Sequence, residues 1–336
     1  MKFISVGEIL VRFSPQNYEK IVQASAFNVN YGGAEVNVAV SLVNLGVDTS
    51  VFSVVPDNSL ADAALKYLKS NGIDTRHIKR SGERLGTYYL EEGVSIRPSE
   101  VIYDRKHSSI CEVDPDSIDY EQLLQGFDWL HISGITPALS ENCRILTERI
   151  LKSAKALGIT VSFDPNFRGK LWSFDTSRDV LSEYMQYVDI LVGIEPIHLK
   201  DENGKELKDG LSMNPDINTM DTIFRKLNEK YKFKAIARTV REVHSSTNNS
   251  LKAYLHIGDK TYESKKINFD IVDRVGGGDA FTAGLIYGLM KNFEPQKTID
   301  FAIASSAIKH TIRGDANLSS KKQIDSFMTR GFEIKR

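Results

Sequence analysis

Apolar and polar residues alternate along this chain with two different periods, and the alternation predicts repeated strand–helix units. Short apolar runs have the length of buried strands, and longer segments repeat apolar residues every three to four positions, as amphipathic helices do. The predicted strands are 3–9, 51–55, 128–133, 159–164, 188–192 and 234–239, and the predicted helices are 34–45, 59–70, 117–125, 140–157, 176–186 and 216–230. This order is typical of an α/β fold, with a mostly parallel, doubly wound sheet and helices on both faces.

Two stretches break this alternation. Residues 10–31 and 75–112 contain several strand-like runs, and no helical period separates them. We expect them to form a small separate sheet that lies as a lid against the main body. The sequence contains no interdomain linker and no internal repeat, so residues 1–336 are predicted to form a single domain.

The stretch 267–290 is the strongest candidate for chemistry. It has an extended run that ends at Asp273, a glycine triplet at Gly276, Gly277 and Gly278, and a helix that begins near Asp279. Glycines leave the backbone N–H groups accessible, and the N–H groups at a helix start carry the positive end of the helix dipole. A glycine-rich loop at a helix start therefore favours an anion, most often a phosphate.

Asp279 follows this loop, and two interpretations of its carboxylate stay open at this point. It caps the helix, which stabilises a helix by about 1 kcal/mol. Alternatively, it is a base that takes a proton from a hydroxyl while the loop amides hold the phosphoryl group under attack. Two other nucleotide motifs are excluded, because the P-loop string is absent and Phe281 stands where the dinucleotide fingerprint needs a small residue.

Further polar residues follow other predicted strands. In an open parallel sheet ligands bind beyond the carboxyl ends of the strands, and D-P-N-F-R and T-V-R-E come at two such ends. Asp164, Asn166, Thr239 and Arg241 at these ends are candidates for cofactor binding, and the planar donor groups of Arg168 suit a phosphate or a carboxylate. In the predicted lid, the candidates for substrate binding are Tyr89, Tyr103 and Arg105, whereas Tyr88 is predicted only to favour the sheet.

Composition excludes several classes of function. The net charge of −1 favours neither nucleic acid nor an anionic membrane, and no apolar run approaches the length of a membrane span. The two cysteines and seven histidines lack metal-ligand spacing, so we expect no protein-bound transition metal. With Glu8 and Arg12 near the N-terminus in place of a signal peptide, we expect a cytoplasmic protein with reduced cysteines.

Three motifs occur in the order of one known family. D-R-V-G-G-G-D-A-F-T-A-G resembles the C-terminal signature of the ribokinase-like (PfkB-type) sugar kinases, usually written D-T-x-G-A-G-D-x-F. N-Y-G-G-A-E-V-N resembles their N-terminal Gly-Gly motif, and D-P-N-F-R resembles their mid-chain motif. Within the family, Y-Y-L-E-E-G, V-I-Y-D-R, H-I-S-G-I-T and K-H-T-I-R-G-D are most similar to 2-keto-3-deoxygluconate kinases.

The resemblance implies a three-layer αβα sandwich with a β lid, ATP and Mg²⁺ as cofactors, and transfer of the γ-phosphoryl to a hydroxyl of a sugar or sugar acid. We expect 2-keto-3-deoxygluconate to become its 6-phosphate, and a homodimer or higher homo-oligomer to form through the lid. The implied site residues are Asp279 as base, Gly276, Gly277 and Gly278 as anion hole, Gly33, Asn37, Tyr89, Tyr103, Arg105 and Asp315 as substrate contacts, Arg168 between substrate and phosphates, and Thr239 and Arg241 at the nucleotide.

The chain departs from the family pattern at three places. Arg274 replaces the usual Thr and Gly277 the usual Ala, and Ile194 and Ile197 replace the ends of the Asn-x-x-Glu motif that is tied to Mg²⁺. Only Glu195 is left in this motif as a possible metal ligand. Alternative functions are a fructokinase, a ribokinase or another sugar kinase of the family and, more remotely, a non-catalytic nucleotide or sugar sensor.

Overall fold

A mostly parallel sheet forms the centre of the computed structural model, which describes residues 1–330. In chain order the strands are β1 (Lys2–Val6), β2 (Leu10–Pro15), β3 (Phe27–Gly32), β4 (Asp48–Val55), β5 (Ile78–Arg80), β6 (Gly86–Glu91), β7 (Glu100–Asp104), β8 (Trp129–Ser133), β9 (Thr160–Asp164), β10 (Ile190–Val192), β11 (Ala235–Val243), β12 (Asn248–Ile257), β13 (Lys260–Glu263) and β14 (Ile267–Asp270). The central sheet has the order β13-β12-β11-β10-β9-β8-β1-β4-β5, with β14 beside β12. Every pairing from β5 to β11 is parallel, and β12 to β14 add an antiparallel edge.

Helices cover both faces of this sheet, as the sequence predicts. They are α1 (Ala34–Asn44), α2 (Ser59–Ser70), α3 (Tyr120–Leu124), α4 (Ile135–Ala138), α5 (Glu141–Ala156), α6 (Phe174–Tyr184), α7 (Ile217–Tyr231), α8 (Gly277–Met290), α9 (Pro295–Lys309) and α10 (Lys321–Arg330). Apolar side chains of α1, α2, α8, α9 and α10 form one core, and those of α3, α5, α6 and α7 form a second. Phe3 and Ile4, neighbours on β1, enter opposite cores because successive strand residues point to opposite faces.

A second, four-stranded sheet of order β3-β2-β6-β7 forms the lid. Its strands come from 10–32 and 86–104. One expectation for the 75–112 stretch is wrong, since β5 pairs with β4 at the edge of the central sheet, where Ser53 lies opposite Ile78. The reason is that β4, α2 and β5 form one strand–helix–strand crossover, the usual connection between parallel strands.

The starts of α1 and α8 depend on glycine. Gly33 has φ +138° and precedes α1, and a Cβ atom there would lie 2.0 Å from the carbonyl oxygen of Glu8. Gly276 has φ +77° and precedes α8, and a Cβ atom there would lie 1.6 Å from the carbonyl oxygen of Asp315. Only glycine fits either position, which explains how the chain brings two helix starts so close to other backbone segments.

The helix α8 packs deep in the molecule, against α1 and α9. Its residue Gly284 lies where a Cβ atom would approach the Cα of Ala302 on α9 to 2.8 Å, so the two helices meet closely. This packing fixes the glycine loop at the start of α8. Within residues 1–330, no helix combines the length and apolar content needed to cross a membrane.

Candidate active site

A cleft of about 670 Å³ lies between the lid and the carboxyl edge of the central sheet. It contains residues from the ends of β9 and β11, the starts of α1 and α8, and the lid strands β6 and β7. Most of the predicted site residues meet here: Gly33, Asn37, Tyr103, Arg105, Asp164, Asn166, Arg168, Arg241, Gly276, Gly277, Gly278, Asp279 and Asp315 line the cleft. Tyr89, Thr239 and Glu195 are not part of this lining.

Asp279 lies in the first turn of α8, and its environment bears on the two interpretations of its carboxylate. The helix begins at Gly277 after Gly276, and no side chain caps it. Asp279 Oδ2 instead accepts a hydrogen bond of 2.7 Å from Asn37 Nδ2 on α1. The carboxylate therefore faces the cleft, beside the loop N–H groups, and does not act as a helix cap.

Three carboxyl groups lie together on the floor of this cleft. Burial, with smaller contributions from the neighbouring Asp164 and Glu35, raises the pKa of Asp279 to about 7. Burial likewise raises the pKa of Asp164 to about 7, although Arg168 opposes this shift. Burial also raises the pKa of Glu35, even though Ser133 and Thr136 donate hydrogen bonds to its Oε1. A carboxyl group with a pKa near 7 is suited to take a proton at neutral pH.

Asn37 has two roles that the sequence could not separate. It is 3% exposed, and its Nδ2 group orients Asp279. Its Oδ1 atom has no hydrogen-bond partner in the described part of the chain. Because a buried polar atom is destabilising without a partner, this oxygen is suited to accept a hydrogen bond from a ligand hydroxyl.

The lid contributes a different tyrosine from the one predicted. Tyr88 lines the cleft, and Tyr103, which lies opposite it in the antiparallel β6–β7 pairing, lies on the same side. Tyr89 points to the other face of the lid, where its ring lies 5.4 Å from that of Phe13. The structure therefore has Tyr88, and not the predicted Tyr89, in the cleft lining, because neighbouring strand residues point to opposite faces.

Arg105 lines the cleft, but its charge already has a partner. Its Nε atom donates to Glu8 Oε2 at 2.7 Å, its Nη2 atom contacts the same oxygen, and both side chains are buried. Ser108 Oγ donates to the other carboxylate oxygen of Glu8 at 2.5 Å. The pair Arg105–Glu8 is close to neutral as a unit, so it offers the cleft a donor group and little net charge.

Asp315 lies beneath the glycine loop in a buried network of charges. Tyr88 donates its hydroxyl to Asp315 Oδ2 at 2.5 Å, and Arg12 Nε lies 3.0 Å from Oδ1. The same Arg12 binds Asp273 through two hydrogen bonds, of 3.0 and 2.6 Å. Asp315 thus joins the lid strands β2 and β6 to the turn that supports Gly276, which is a structural role in addition to its place in the cleft.

Four cationic groups that line the cleft lack a carboxylate partner within residues 1–330. Arg168, Arg241 and Arg274 form no ion pair there, and Lys170 Nζ donates to the carbonyl oxygen of Val101 in the lid. These groups make the cleft suited to an anionic ligand. Thr239 lies exposed on β11, two residues before Arg241 and on the same face of the strand, outside the cleft lining.

Glu195 does not fit a metal site. Its Oε2 atom lies 3.0 Å from Nζ of the buried Lys208, which supplies the compensating charge. Among residues 1–330 no group of three or more His, Cys, Asp and Glu side chains could hold a metal ion. Glu195 is thus the only carboxylate in the segment 194–197, and it is paired with a lysine.

Sequence reasoning missed several residues of the cleft, among them Glu8, Glu35 and Tyr88. Glu8 and Glu35 are charged residues in apolar surroundings of the sequence, and that contrast is the signal that could have marked them as buried partners. No comparable signal separates Tyr88 from Tyr89, since the face of each depends on the pairing of β6 with its neighbours.

Comparison with known proteins agrees with this architecture. The model of the pfkB family carbohydrate kinases matches residues 2–198 and 230–322. The structure of 2-dehydro-3-deoxygluconokinase from Thermotoga maritima is 39% identical, with a TM-score of 0.92 over 98% of this chain and 99% of that chain. A PfkB family carbohydrate kinase from Listeria grayi is 34% identical, with a TM-score of 0.89 over 98% of this chain and 99% of that one.

A further relative adds a second substrate name. The 2-dehydro-3-deoxygalactonokinase of Haloferax volcanii is 29% identical over 98% of this chain and 97% of its own length. The predicted ribokinase-like fold, with its small second sheet, is confirmed by the structural similarity together with the family match. The chain thus belongs to the pfkB family of carbohydrate kinases.

Proposed function

We propose that the protein transfers the γ-phosphoryl group of ATP to a hydroxyl of 2-keto-3-deoxygluconate and releases the 6-phosphate. The observation that carries this proposal is the carboxyl group of Asp279, whose pKa is raised to about 7 beside the Gly276–Gly278 amides. The names of the relatives from Thermotoga maritima and Haloferax volcanii support a 2-keto-3-deoxy sugar acid as the acceptor.

In this mechanism the chain supplies a base and an anion site. Asp279, held by Asn37, takes the proton of the acceptor hydroxyl as the hydroxyl oxygen attacks the γ-phosphorus. The bond between the γ-phosphorus and the β,γ-bridging oxygen breaks, and ADP leaves with its electron pair. The N–H groups at the start of α8 stabilise the negative charge that develops on the transferred phosphoryl group. Mg²⁺ would be held chiefly by the nucleotide phosphates and water, since Glu195 is paired with Lys208, and it would supply positive charge to those phosphates.

The carboxylate of a keto acid needs a compensating cation under the lid. Arg168 is the best candidate for the charge, because it lines the cleft and has no ion pair in the described residues. Arg105 remains a proposed contact that donates hydrogen bonds, since Glu8 already balances its charge. This division reverses the expectation from the sequence, in which Arg105 supplies the charge.

The test is a coupled assay of ADP release with 2-keto-3-deoxygluconate, its galactonate epimer, fructose and ribose. We expect the wild-type enzyme to use the keto acids and Arg168→Ala to lower kcat/KM for them by about 10²-fold or more, as for a buried charge pair that loses one partner. Use of fructose should change much less. Equal losses on both kinds of acceptor, or turnover of fructose alone, would contradict a keto-acid kinase.

We also propose that two copies of the chain pair through the lid face opposite the cleft. The rings of Phe13, Phe27 and Tyr89 cluster on this face. Beside them Val29 and Ile102 are 47% and 46% exposed. An apolar patch of this kind on a small sheet is typical of a protein interface.

The test of the dimer is the mass in solution by light scattering. The double variant Val29→Asp/Ile102→Asp should have the mass of one chain, while the wild type has the mass of two. Val243→Asp, at a position that is 60% exposed on β11, is the matched control and should stay dimeric. A monomeric wild type, or a dimer that the double variant leaves intact, would rule out this interface.

A further inference from the structure

Arg274 and Arg241 form a cluster of positive charge beside the glycine loop. Both line the cleft together with Gly276, Gly277 and Gly278. Neither arginine has a carboxylate partner within the part of the chain that the structure describes. Burial and the nearby Arg274 together lower the pKa of Arg241 to about 10, which shows that the two guanidinium groups repel each other.

The carboxylate next to Arg274 in the sequence does not relieve this repulsion. Both oxygens of Asp273 accept hydrogen bonds from Arg12, and Oδ2 also accepts the N–H of Gly314 at 3.0 Å. Asp273 is therefore turned into the buried network below the loop. Arg274 stays in the cleft, at a position where the family signature has threonine, a residue without charge.

Arg241 is held in place by His310. The Nδ1 atom of His310 lies 2.7 Å from the carbonyl oxygen of Ser306 and donates to it, so its Nε2 atom is an acceptor. Arg241 Nη2 donates to this Nε2 atom at 3.3 Å. Burial and the surrounding cations lower the pKa of His310 to about 4, so the ring stays neutral and keeps this acceptor at neutral pH.

We propose that Arg274 and Arg241 bind the β- and γ-phosphates of the nucleotide beside the glycine-loop amides, and that Arg274 stabilises the charge of the transferred phosphoryl group. This inference rests on the proposed function and names further residues that act in it. The pair supplies positive charge in a chain whose 194–197 segment lacks the metal-linked motif. Planar guanidinium groups suit this role, because each forms two hydrogen bonds to one phosphate.

The experiment measures nucleotide affinity without an acceptor and without metal. Adenosine, AMP, ADP and ATP are titrated by calorimetry in EDTA against the wild type, Arg274→Ala, Arg274→Gln and Arg241→Ala. The matched control is Arg313→Ala, which removes an exposed arginine outside this cleft, 3.8 Å from Glu92. Melting temperatures show whether each variant is folded. If Arg274→Ala does not fold, Arg274→Gln replaces it, because glutamine keeps a polar side chain and most of the aliphatic stem without the charge.

We expect ATP and ADP to bind the Arg274 and Arg241 variants about 10- to 100-fold more weakly, as for the loss of a charge-assisted hydrogen bond, while adenosine and AMP change little. Arg313→Ala should bind all four as the wild type does. An equal loss for all four ligands, an unchanged affinity for ATP, or a wild type that binds no nucleotide would each overturn the proposal.

The same set of variants separates this proposal from the proposed function. If the arginine variants show the phosphate-dependent loss but the wild type phosphorylates no keto acid, the proposed acceptor is wrong and the arginine pair stands. If the wild type phosphorylates a keto acid and Arg274→Ala does so with unchanged kcat, the arginine proposal fails and the kinase stands. Arg274→Lys should restore part of kcat, because a lysine keeps the charge but not the two-pronged geometry.

Discussion

Replacing Asp279 by asparagine should make the protein more stable above neutral pH while it removes activity. The pKa of Asp279 rises from 3.8 to about 7 on folding, so the unfolded chain releases this proton far more readily than the folded one. The resulting destabilisation of the folded state builds up between about pH 4 and pH 7, where the unfolded chain is ionised and the folded carboxyl group is not, and it is complete above pH 7. It disappears only as the pH falls below the unfolded pKa of 3.8, where both states are protonated. Asparagine has nearly the same shape and keeps an oxygen that accepts from Asn37, but it carries no charge.

The size of the effect follows from the shift. A difference of about 3 pKa units corresponds to about 4 kcal/mol at pH 8, at 1.36 kcal/mol for each unit. Water reaches part of this side chain in the open cleft, so we expect about half of that value, 2 kcal/mol, in the free energy of unfolding at pH 8. At pH 5 only the part of the shift between the unfolded pKa of 3.8 and the pH counts, so the gain should fall below about 1 kcal/mol.

The measurement is urea unfolding of the wild type and Asp279→Asn at pH 5 and pH 8, together with kcat at pH 8. Loss of a general base should lower kcat by about 10²- to 10⁴-fold. Asp57→Asn, at an exposed position before α2, is the matched control and should show no such dependence on pH. The reasoning would be refuted if the gain in the free energy of unfolding over the wild type were no larger at pH 8 than at pH 5, or if the variant kept nearly normal turnover.

Three further predictions concern the support of the loop. Gly276→Ala should lower kcat by about 10²-fold or more, since the new Cβ would displace the loop from Asp315, and single-turnover kinetics test this. Arg12→Met should lower the free energy of unfolding by about 3–5 kcal/mol because Asp273 is left unpaired, which denaturant unfolding measures. Tyr88→Phe should lower it by about 1–3 kcal/mol, since Asp315 loses a buried donor, and unchanged stability would count against this bond.

The sequence predicted the central sheet and the glycine loop because both depend on local information. The apolar period marks each strand and helix, and a glycine triplet before a helix start indicates an anion site whatever the remainder of the chain does. The 59–70 helix was placed to the residue, because Asn71 and Gly72 end a clear period.

The expectations that differ from the structure concern residues whose partners lie far away in the sequence. Nothing near Tyr88 in the sequence shows that it lies opposite Arg12 on β2, so its face could not be chosen. In the same way, the partner of Arg105 is Glu8, 97 residues earlier in the chain. Arg105 was expected to carry a free charge, but it forms an ion pair with Glu8 that the sequence does not show.

The strand β2 has a consequence for how two active sites could influence each other. Arg12 extends from one face of this strand to the carboxylates that flank the glycine loop, and Phe13, the next residue, extends from the other face into the proposed contact with a second copy. One peptide unit therefore separates the residue that supports the glycine loop, Arg12, from Phe13 in the proposed subunit contact. Ligand binding in one protomer should then affect the active site of the other protomer. Substitutions on the apolar face should alter turnover as well as assembly.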